Sequence, residues 1–152
     1  MKNKKIIYIV LIILAILILF FAYKENSYKP IEGINEFYYS YEEGDIGEVR
    51  EAYYNIKCSN SKCSGEIKQG YDDKKEISVD EKTINKLSEI LNDYRVASWK
   101  NNDMEMCSGC DDYKLDVITK DNRKIKSYGF VTYDWDHKKH EKFKEDLKEL
   151  FG

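Results

Sequence analysis

The sequence predicts an N-terminal transmembrane helix followed by an α+β domain, in which an antiparallel sheet of about five strands carries two helices in the order βββαββα. Three observations predict this architecture: one uncharged apolar run, two segments of alternating apolar and polar residues, and two stretches of helical periodicity. The chain therefore divides into a cytoplasmic tail at 1–5, a transmembrane helix at 6–23, a tether at 24–33 and an extracytoplasmic domain at 34–152.

The apolar run at 6–22 contains no charged residue. A helix of about 18 residues is about 27 Å long, close to the thickness of a bilayer's hydrocarbon core. Three lysines precede the run without an intervening acid, so the positive-inside rule places the N-terminus in the cytoplasm and the domain outside. A cleaved signal peptide is the alternative, but Phe20 stands where cleavage after Ala22 requires a small residue. The prediction is a single-pass protein of the cell membrane.

Charge and composition argue against nucleic acid as a partner. The chain has a formal charge of −3, and removing the three N-terminal lysines leaves the remainder near −6. No basic stripe is present to follow a phosphate backbone. A content of 14% aromatic residues and a single proline, Pro30, favour an ordered domain over a disordered stalk.

The first half of the domain reads as strands. Residues 37–41 form a β-rich run, and 49–70 has the pattern of a hairpin with a loop at 59–62. This loop sets three cross-strand pairs: Tyr54 with Ile67, Ile56 with Gly65, and Cys58 with Cys63. The tyrosines and Phe37 either line the buried face of the sheet or form an exposed aromatic surface for a partner or glycan.

The first helix of the domain is predicted from a capping box and an apolar stripe. Ser78 and Glu81 have the spacing of that box, and the segment continues to Trp99. The stripe consists of Ile84, Leu87, Ile90, Leu91 and Tyr94. Such a stripe predicts a helix that covers one face of the sheet.

A second hairpin and a closing helix complete the domain. Placing Val117 opposite Ile125 requires a three-residue loop at 120–122, and its last residue, Asn122, tolerates the left-handed conformation that such loops need. In the last segment, apolar residues recur at helical spacing: Phe143, Leu147, Leu150 and Phe151. Asp134 or Asp136 can cap the start of this helix.

The stretches ISVDEKTINKLSEILNDYRVASW and YKLDVITKDNRKIKSYGF, and a last helix ending in ELF, resemble an uncharacterised family of small bacterial membrane-anchored, extracytoplasmic α+β domains of unknown function. The matching positions are Ser78, Leu87, Ile90, Leu91, Tyr94, Trp99, Leu115, Ile125, Ser127 and Gly129. The chain departs from this pattern in having Asn122 in place of glycine, no proline before the last helix, and four cysteines. The resemblance covers roughly 36–151 and implies a fold and a location but no activity.

The four cysteines form two close pairs, Cys58 with Cys63 and Cys107 with Cys110. Disulfides are the first interpretation, because residues outside the membrane meet oxidising conditions and the number of cysteines is even. Opposed cysteines in a hairpin can reach the geometry of a disulfide. Local pairing restrains little chain, whereas cross-pairing closes a loop of about 45–50 residues and restricts the unfolded state more. The sequence leaves the connectivity open.

Two other interpretations of the cysteines remain. All four thiolates could bind one structural zinc ion. Alternatively, the CSGC motif at 107–110 could be redox-active, although its acidic surroundings would raise a thiol pKa and oppose thiolate formation.

A second group of metal-ligating residue types stands at the start of the last helix. It consists of Asp134, Asp136, His137 and His140. The histidines are three positions apart and could share a metal ion, whereas a solvated helix start with acidic caps explains the same residues without one.

The leading hypothesis for function is a membrane-tethered, extracytoplasmic binding or interaction module that is not an enzyme. No nucleophile motif, phosphate-binding loop or recognisable carboxylate pair is present. The partner would be an envelope protein, a secreted protein such as a toxin, or a cell-wall polymer. The alternatives are a thiol-based redox protein or sensor that uses CSGC, and a purely structural envelope component.

Overall fold

The computed structural model of the chain describes residues 8–19, 28–45, 48–59, 62–70, 72–101, 110–131 and 135–152. Within these ranges the chain forms three helices and six strands. In chain order these are α1 (8–19), β1 (Ile34–Asp45), β2 (Glu48–Ser59), β3 (Lys62–Gln69), β4 (Lys75–Val79), α2 (Glu81–Asp93), β5 (Asp111–Thr119), β6 (Lys124–Val131) and α3 (Trp135–Phe151). A single 3-10 turn at Val96–Ser98 follows α2.

The strands form one antiparallel sheet in the order β4-β3-β2-β1-β5-β6. The predicted α+β class and the antiparallel sheet are thereby confirmed, and the sheet has one strand more than expected. β1 lies at the centre because the chain returns from α2 to pair β5 with its free edge. The central strand β1 therefore pairs with a strand from each half of the domain, β2 on one side and β5 on the other.

α2 and α3 pack on one face of this sheet. Along β5 and β6 buried residues alternate with more exposed ones, as expected for a sheet with one covered face. The buried stripes of the two helices join the covered face in a single hydrophobic core. Its fully buried side chains include Phe37, Tyr39, Leu87, Leu115, Phe143 and Leu147. Phe37, Tyr39 and the neighbouring Tyr41 thus belong to the core rather than to an exposed aromatic surface.

The register of the first hairpin agrees with the prediction. Three predicted pairs are present: Tyr54 with Ile67, Ile56 with Gly65, and Cys58 with Cys63. Pairing continues to Ser59 and Lys62, and residues 60–61 lie outside the described ranges. Gly65 has a steric role, since a Cβ atom there would lie 2.6 Å from the backbone oxygen of Asn55.

The second hairpin is also confirmed. Val117 pairs with Ile125, and Asn122 has a φ of 61°. Backbone hydrogen bonds from Thr119 N to Arg123 O at 3.0 Å and from Asn122 N to Thr119 O at 2.9 Å close the turn. The hydrophobic pattern and the turn residue therefore specify the same register.

The predicted capping box at Ser78 is wrong. Ser78 lies in β4, where it pairs with Ser64, and the N-cap of α2 is Asp80. The Asp80 Oδ1 atom accepts a hydrogen bond from Thr83 N at 2.8 Å, which satisfies a free donor of the first turn. β4 was missed because its short segment KEISV alternates only two apolar residues with polar ones.

The helix predicted to reach Trp99 ends six residues earlier, at Asp93. Arg95 has a φ of 49°, a left-handed conformation that cannot continue an α-helix. The 3-10 turn then brings Trp99 back to α2, where its indole Nε1 donates to Tyr94 O at 3.0 Å.

The first turn of α3 differs from the prediction in one respect. The helix begins at Trp135, so Asp136 is its second residue rather than its cap, whereas Asp134 lies outside the described residues. The predicted apolar stripe is buried as expected, with Phe143 and Leu147 at 0% exposure.

Residues 8–19 are helical, as predicted for this part of the apolar run, and the flanking residues 6–7 and 20–23 lie outside the described ranges. Among the helices that the structure describes, none is both long and apolar enough to span a bilayer. The large apolar side chains of α1 are 47–69% exposed.

The second part of the predicted tether lies against the domain. Ile31 is 2% exposed, and its backbone N–H donates to Asn92 Oδ1 at 2.7 Å while its carbonyl accepts from Asn92 Nδ2 at 3.1 Å. The guanidinium of Arg123 donates to the carbonyls of Lys29 and Pro30, each at 2.7 Å. Residues 29–31 are thus joined to the folded domain by side chains of α2 and the second hairpin.

Candidate functional site

A disulfide joins Cys58 and Cys63 across the first hairpin. The cross-strand register already places these residues opposite each other, so the bond closes only a local loop. Cys110 is disulfide-bonded as well, and Cys107 lies outside the described residues. Because a disulfide sulfur is not a thiolate, Cys58 and Cys63 can serve as the predicted zinc ligands only in reduced protein.

Replacing Cys58 and Cys63 together with serine is expected to lower the free energy of unfolding by about 2 kcal/mol, because a short closed loop restricts the unfolded chain modestly. Urea unfolding of the two proteins measures this difference. Tryptic digestion without reduction provides the control, since cleavage after Lys57 and Lys62 should leave two short peptides joined through these cysteines. Recovery of Cys58 linked to Cys110 instead would contradict the assignment.

The main polar cluster of the domain brings together residues from three elements. Asp111 begins β5, Tyr41 lies near the end of β1, and His137 and Glu141 lie one turn apart on α3. An i, i+4 spacing places the last two side chains on the same side of the helix. One ligating atom from each of Asp111, His137 and Glu141 lies within 4.8 Å of the other two, and all three residues are partly buried.

The hydroxyl of Tyr41 holds the two carboxylates of this cluster. It donates to Asp111 Oδ2 and lies 3.2 Å from Glu141 Oε1. His137 Nε2 is 3.8 Å from Asp111 Oδ2. Lys144 completes the group, because its Nζ is 2.7 Å from Glu141 Oε1 and 3.5 Å from the centre of the Tyr41 ring. A buried phenol and an ammonium thus offset the repulsion between two acids.

Burial affects the protonation of Tyr41 in this cluster and of the neighbouring Asp112. It raises the pKa of Tyr41 well above the usual value, and the hydrogen bond to Asp111 adds to this effect. Desolvation also raises the pKa of Asp112, with a further contribution from the charge of Asp111. Tyr41 therefore stays protonated at neutral pH and acts as a hydrogen-bond donor rather than as a base.

His140 lies in the aromatic core rather than beside His137. It is 6% exposed, and its ring is 4.5 Å from that of Trp99 and 4.4 Å from that of Tyr113. Burial, followed by the charges of nearby cations, lowers the pKa of His140 to about 4. Its Nδ1 atom has no hydrogen-bond partner among the described residues. Among the described residues, the group whose geometry could hold a metal ion joins His137 with Asp111 and Glu141, and it does not include His140.

A cavity of about 410 Å³ adjoins the cluster between α3 and the middle of the sheet. Tyr39, Tyr41, Tyr54 and Glu141 are among its lining residues. The Tyr39 hydroxyl is buried and has no hydrogen-bond partner within the described part of the chain. Burial raises the pKa of Tyr39 strongly and that of Tyr54 to about 12, so both phenols are neutral donors at physiological pH.

Sequence reasoning identified His137 but missed Asp111, Glu141 and Tyr41. These residues are separated by as many as 100 positions, and they come together only through the pairing of β1 with β5 and the packing of α3 beside these strands. The His-x-x-x-Glu spacing on α3 was the one local signal that could have indicated half of the cluster.

The fold and the cluster define a small α+β domain with helices on one side of an antiparallel sheet and a carboxylate–histidine group near one end of the central strands. Neither a protein-family model nor a curated protein matches this chain. The predicted resemblance to bacterial envelope domains therefore stays a prediction.

Proposed function

We propose that this chain is a membrane-tethered module of the cell envelope, whose domain lies outside the cytoplasm and binds a partner there without catalysing a reaction. The observation that carries the proposal is the apolar N-terminal run. Eleven large hydrophobic side chains of α1 are exposed, and they extend from Tyr8 to Leu19. An apolar surface of this kind is unfavourable in water and is stabilised in hydrocarbon.

The protonation and contacts of the polar side chains in the domain favour a binding function over a catalytic one. Tyr41 remains protonated, and Tyr41 and Lys144 contact the carboxylate of Glu141. His140, the buried histidine, has a pKa too low and a position too enclosed for a general base at neutral pH. An envelope or secreted protein is the partner class that suits an acidic extracytoplasmic domain without a basic stripe.

Two lysines at the centre of the apolar run, introduced as Ile13→Lys with Leu14→Lys, are expected to prevent membrane insertion. Each charge at the centre of a spanning helix costs about 3 kcal/mol on insertion scales. The measurement is the fraction of the full chain that stays with membranes after alkaline carbonate extraction. We expect this fraction to be high for the unaltered chain and to fall at least several-fold for the variant.

A matched control carries the same two charges at the ends of the run, as Ile6→Lys with Tyr23→Lys, where long side chains reach the interface. The control should remain in the membrane fraction. Release of the unaltered chain by carbonate, or a mature protein that begins after Ala22, would contradict the tether. Protection of the domain from protease added to cells with a permeable outer layer would contradict the orientation.

Partner binding is tested by photo-crosslinking in the expressing cells. Tyr128, which is 46% exposed on the face of the sheet away from α2 and α3, is a suitable position for the crosslinker. A discrete adduct supports a binding module, whereas its absence from several exposed positions favours a purely structural component. Rapid thiol exchange at Cys110, with loss of adduct formation in reduced protein, would favour the redox alternative.

A further inference from the structure

We propose that Asp111, His137 and Glu141 form a binding site for one first-row divalent metal ion, with Zn²⁺ as the best-suited ion. The site lies at the junction of β5 and α3, and it contains no cysteine. The inference is independent of the membrane tether, since it depends only on the folded domain.

The distances between the ligating atoms of the cluster are close to those between the ligands of a bound zinc ion. Two ligands that each lie about 2.1 Å from zinc are about 3.4 Å apart at the tetrahedral angle. His137 Nε2 and Asp111 Oδ2 are 3.8 Å apart, and the three ligating atoms lie within 4.8 Å of one another. Small rotations of side chains at the start of α3 would bring all three to coordination distance. A tetrahedral ion would then keep one position for water.

The ligand chemistry selects the class of ion. An imidazole nitrogen favours zinc and its neighbours, whereas magnesium and calcium prefer oxygen ligands alone. Two carboxylates with a neutral imidazole carry a charge of −2, which a divalent ion neutralises. Because Asp111, His137 and Glu141 are all partly buried, this attraction is less screened than it would be on an open surface.

Two tyrosine hydroxyls provide the supporting polar groups. Tyr41 donates to Asp111 Oδ2, and its hydroxyl lies 3.2 Å from Glu141 Oε1, so it orients both carboxylates, as partners of metal ligands commonly do. Tyr39 is fully buried, lines the same cavity as Tyr41 and Glu141, and has no hydrogen-bond partner within the described ranges. Asp111 and Glu141 are among the charges that act on its hydroxyl. Water bound to the ion would give this buried hydroxyl a partner.

Lys144 is the competing cation, since it contacts Glu141 Oε1 at 2.7 Å. A metal ion that binds Glu141 must share or displace this contact. The Lys144→Met variant, which keeps the unbranched apolar part of the side chain and removes its charge, should therefore bind zinc more tightly than the unaltered chain. A merely electrostatic cluster of acids would show the same increase for calcium.

The test is isothermal titration of Zn²⁺ into the full chain in detergent, after treatment with a chelator and with iodoacetamide to block any free thiol. We expect one ion per chain, and His137→Ala should weaken binding by at least about tenfold. Glu141→Gln should weaken it similarly, whereas Glu149→Gln, an equal change of charge at an exposed residue of the same helix that does not line this cavity, should not. Circular dichroism without metal establishes that each variant is folded.

Several results would overturn the proposal. They are the absence of saturable zinc binding, equal affinity in His137→Ala and the unaltered chain, and equal weakening by Glu141→Gln and Glu149→Gln. Calcium or magnesium binding as tight as zinc binding would also overturn it, because an imidazole ligand should discriminate between these ions. A variant that fails to fold is replaced by His137→Gln, which retains polarity but is a weaker ligand.

Discussion

Replacing Phe143 with alanine is expected to lower the free energy of unfolding by about 3–5 kcal/mol. This side chain is fully buried where α3 meets both α2 and the sheet. Its ring packs edge-on against Tyr39 at 5.1 Å, Tyr94 at 5.2 Å and Trp99 at 5.3 Å between ring centres. Truncation therefore removes apolar contacts and leaves a cavity at the centre of the core. Urea unfolding followed by tryptophan fluorescence measures the loss.

Two variants calibrate this result. Phe143→Leu retains most of the apolar volume and should cost clearly less than the alanine variant. Leu150→Ala alters a partly buried residue on the same helix and should also cost less. If Phe143→Ala cost no more than Leu150→Ala, the packing of α3 against the sheet described above would be contradicted.

The elements that the sequence predicts well are those in which two local signals agree. In the second hairpin, the alternation of apolar residues and the left-handed tendency of Asn122 specify one register. In the last helix, the apolar residues recur at the spacing of one face, and that face is buried. Local consistency of this kind is typical of elements whose conformation depends little on distant contacts.

The sixth strand shows where local signals fail. β4 is a five-residue edge strand that pairs only with β3, so its formation depends on that partner. Its polar residues also resemble the start of a helix, since Ser78 and Asp80 are both good N-cap residues. The local pattern could not distinguish them. Pairing with β3 assigns Ser78 to the strand and leaves Asp80 to cap α2.

The polar cluster could not be predicted from the sequence for a different reason. Asp111 and His137 become neighbours only when β5 and α3 pack together, and nothing local relates them. The two histidines are three residues apart but have different environments, because His140 is buried in the core and His137 is only partly buried at its margin. His140 contacts the rings of Trp99 and Tyr113, whereas His137 remains beside the carboxylates. Periodicity predicts a helical face but not the depth of each residue on it.

Lowering the pH from about 6.5 to about 4 is expected to destabilise the domain by up to roughly 3 kcal/mol through His140. Burial lowers the pKa of this histidine to about 4 in the folded state, with further contributions from Lys139, Lys144 and His137 and an opposing one from Glu141. Between these two pH values the unfolded chain binds more protons than the folded one. The stabilisation is therefore complete above the unfolded pKa and decreases as the pH falls.

The contribution of His140 can be isolated by comparison with His140→Gln, which removes the titrating ring. Urea unfolding across this pH range, with a chelator present, should show a steeper loss of stability for the unaltered chain than for the variant. Asp112 acts in the opposite direction, because its raised pKa favours the folded state as it becomes protonated. The difference between the two proteins removes this shared effect. Parallel pH profiles would contradict a buried, neutral His140 and would place its ring in contact with solvent.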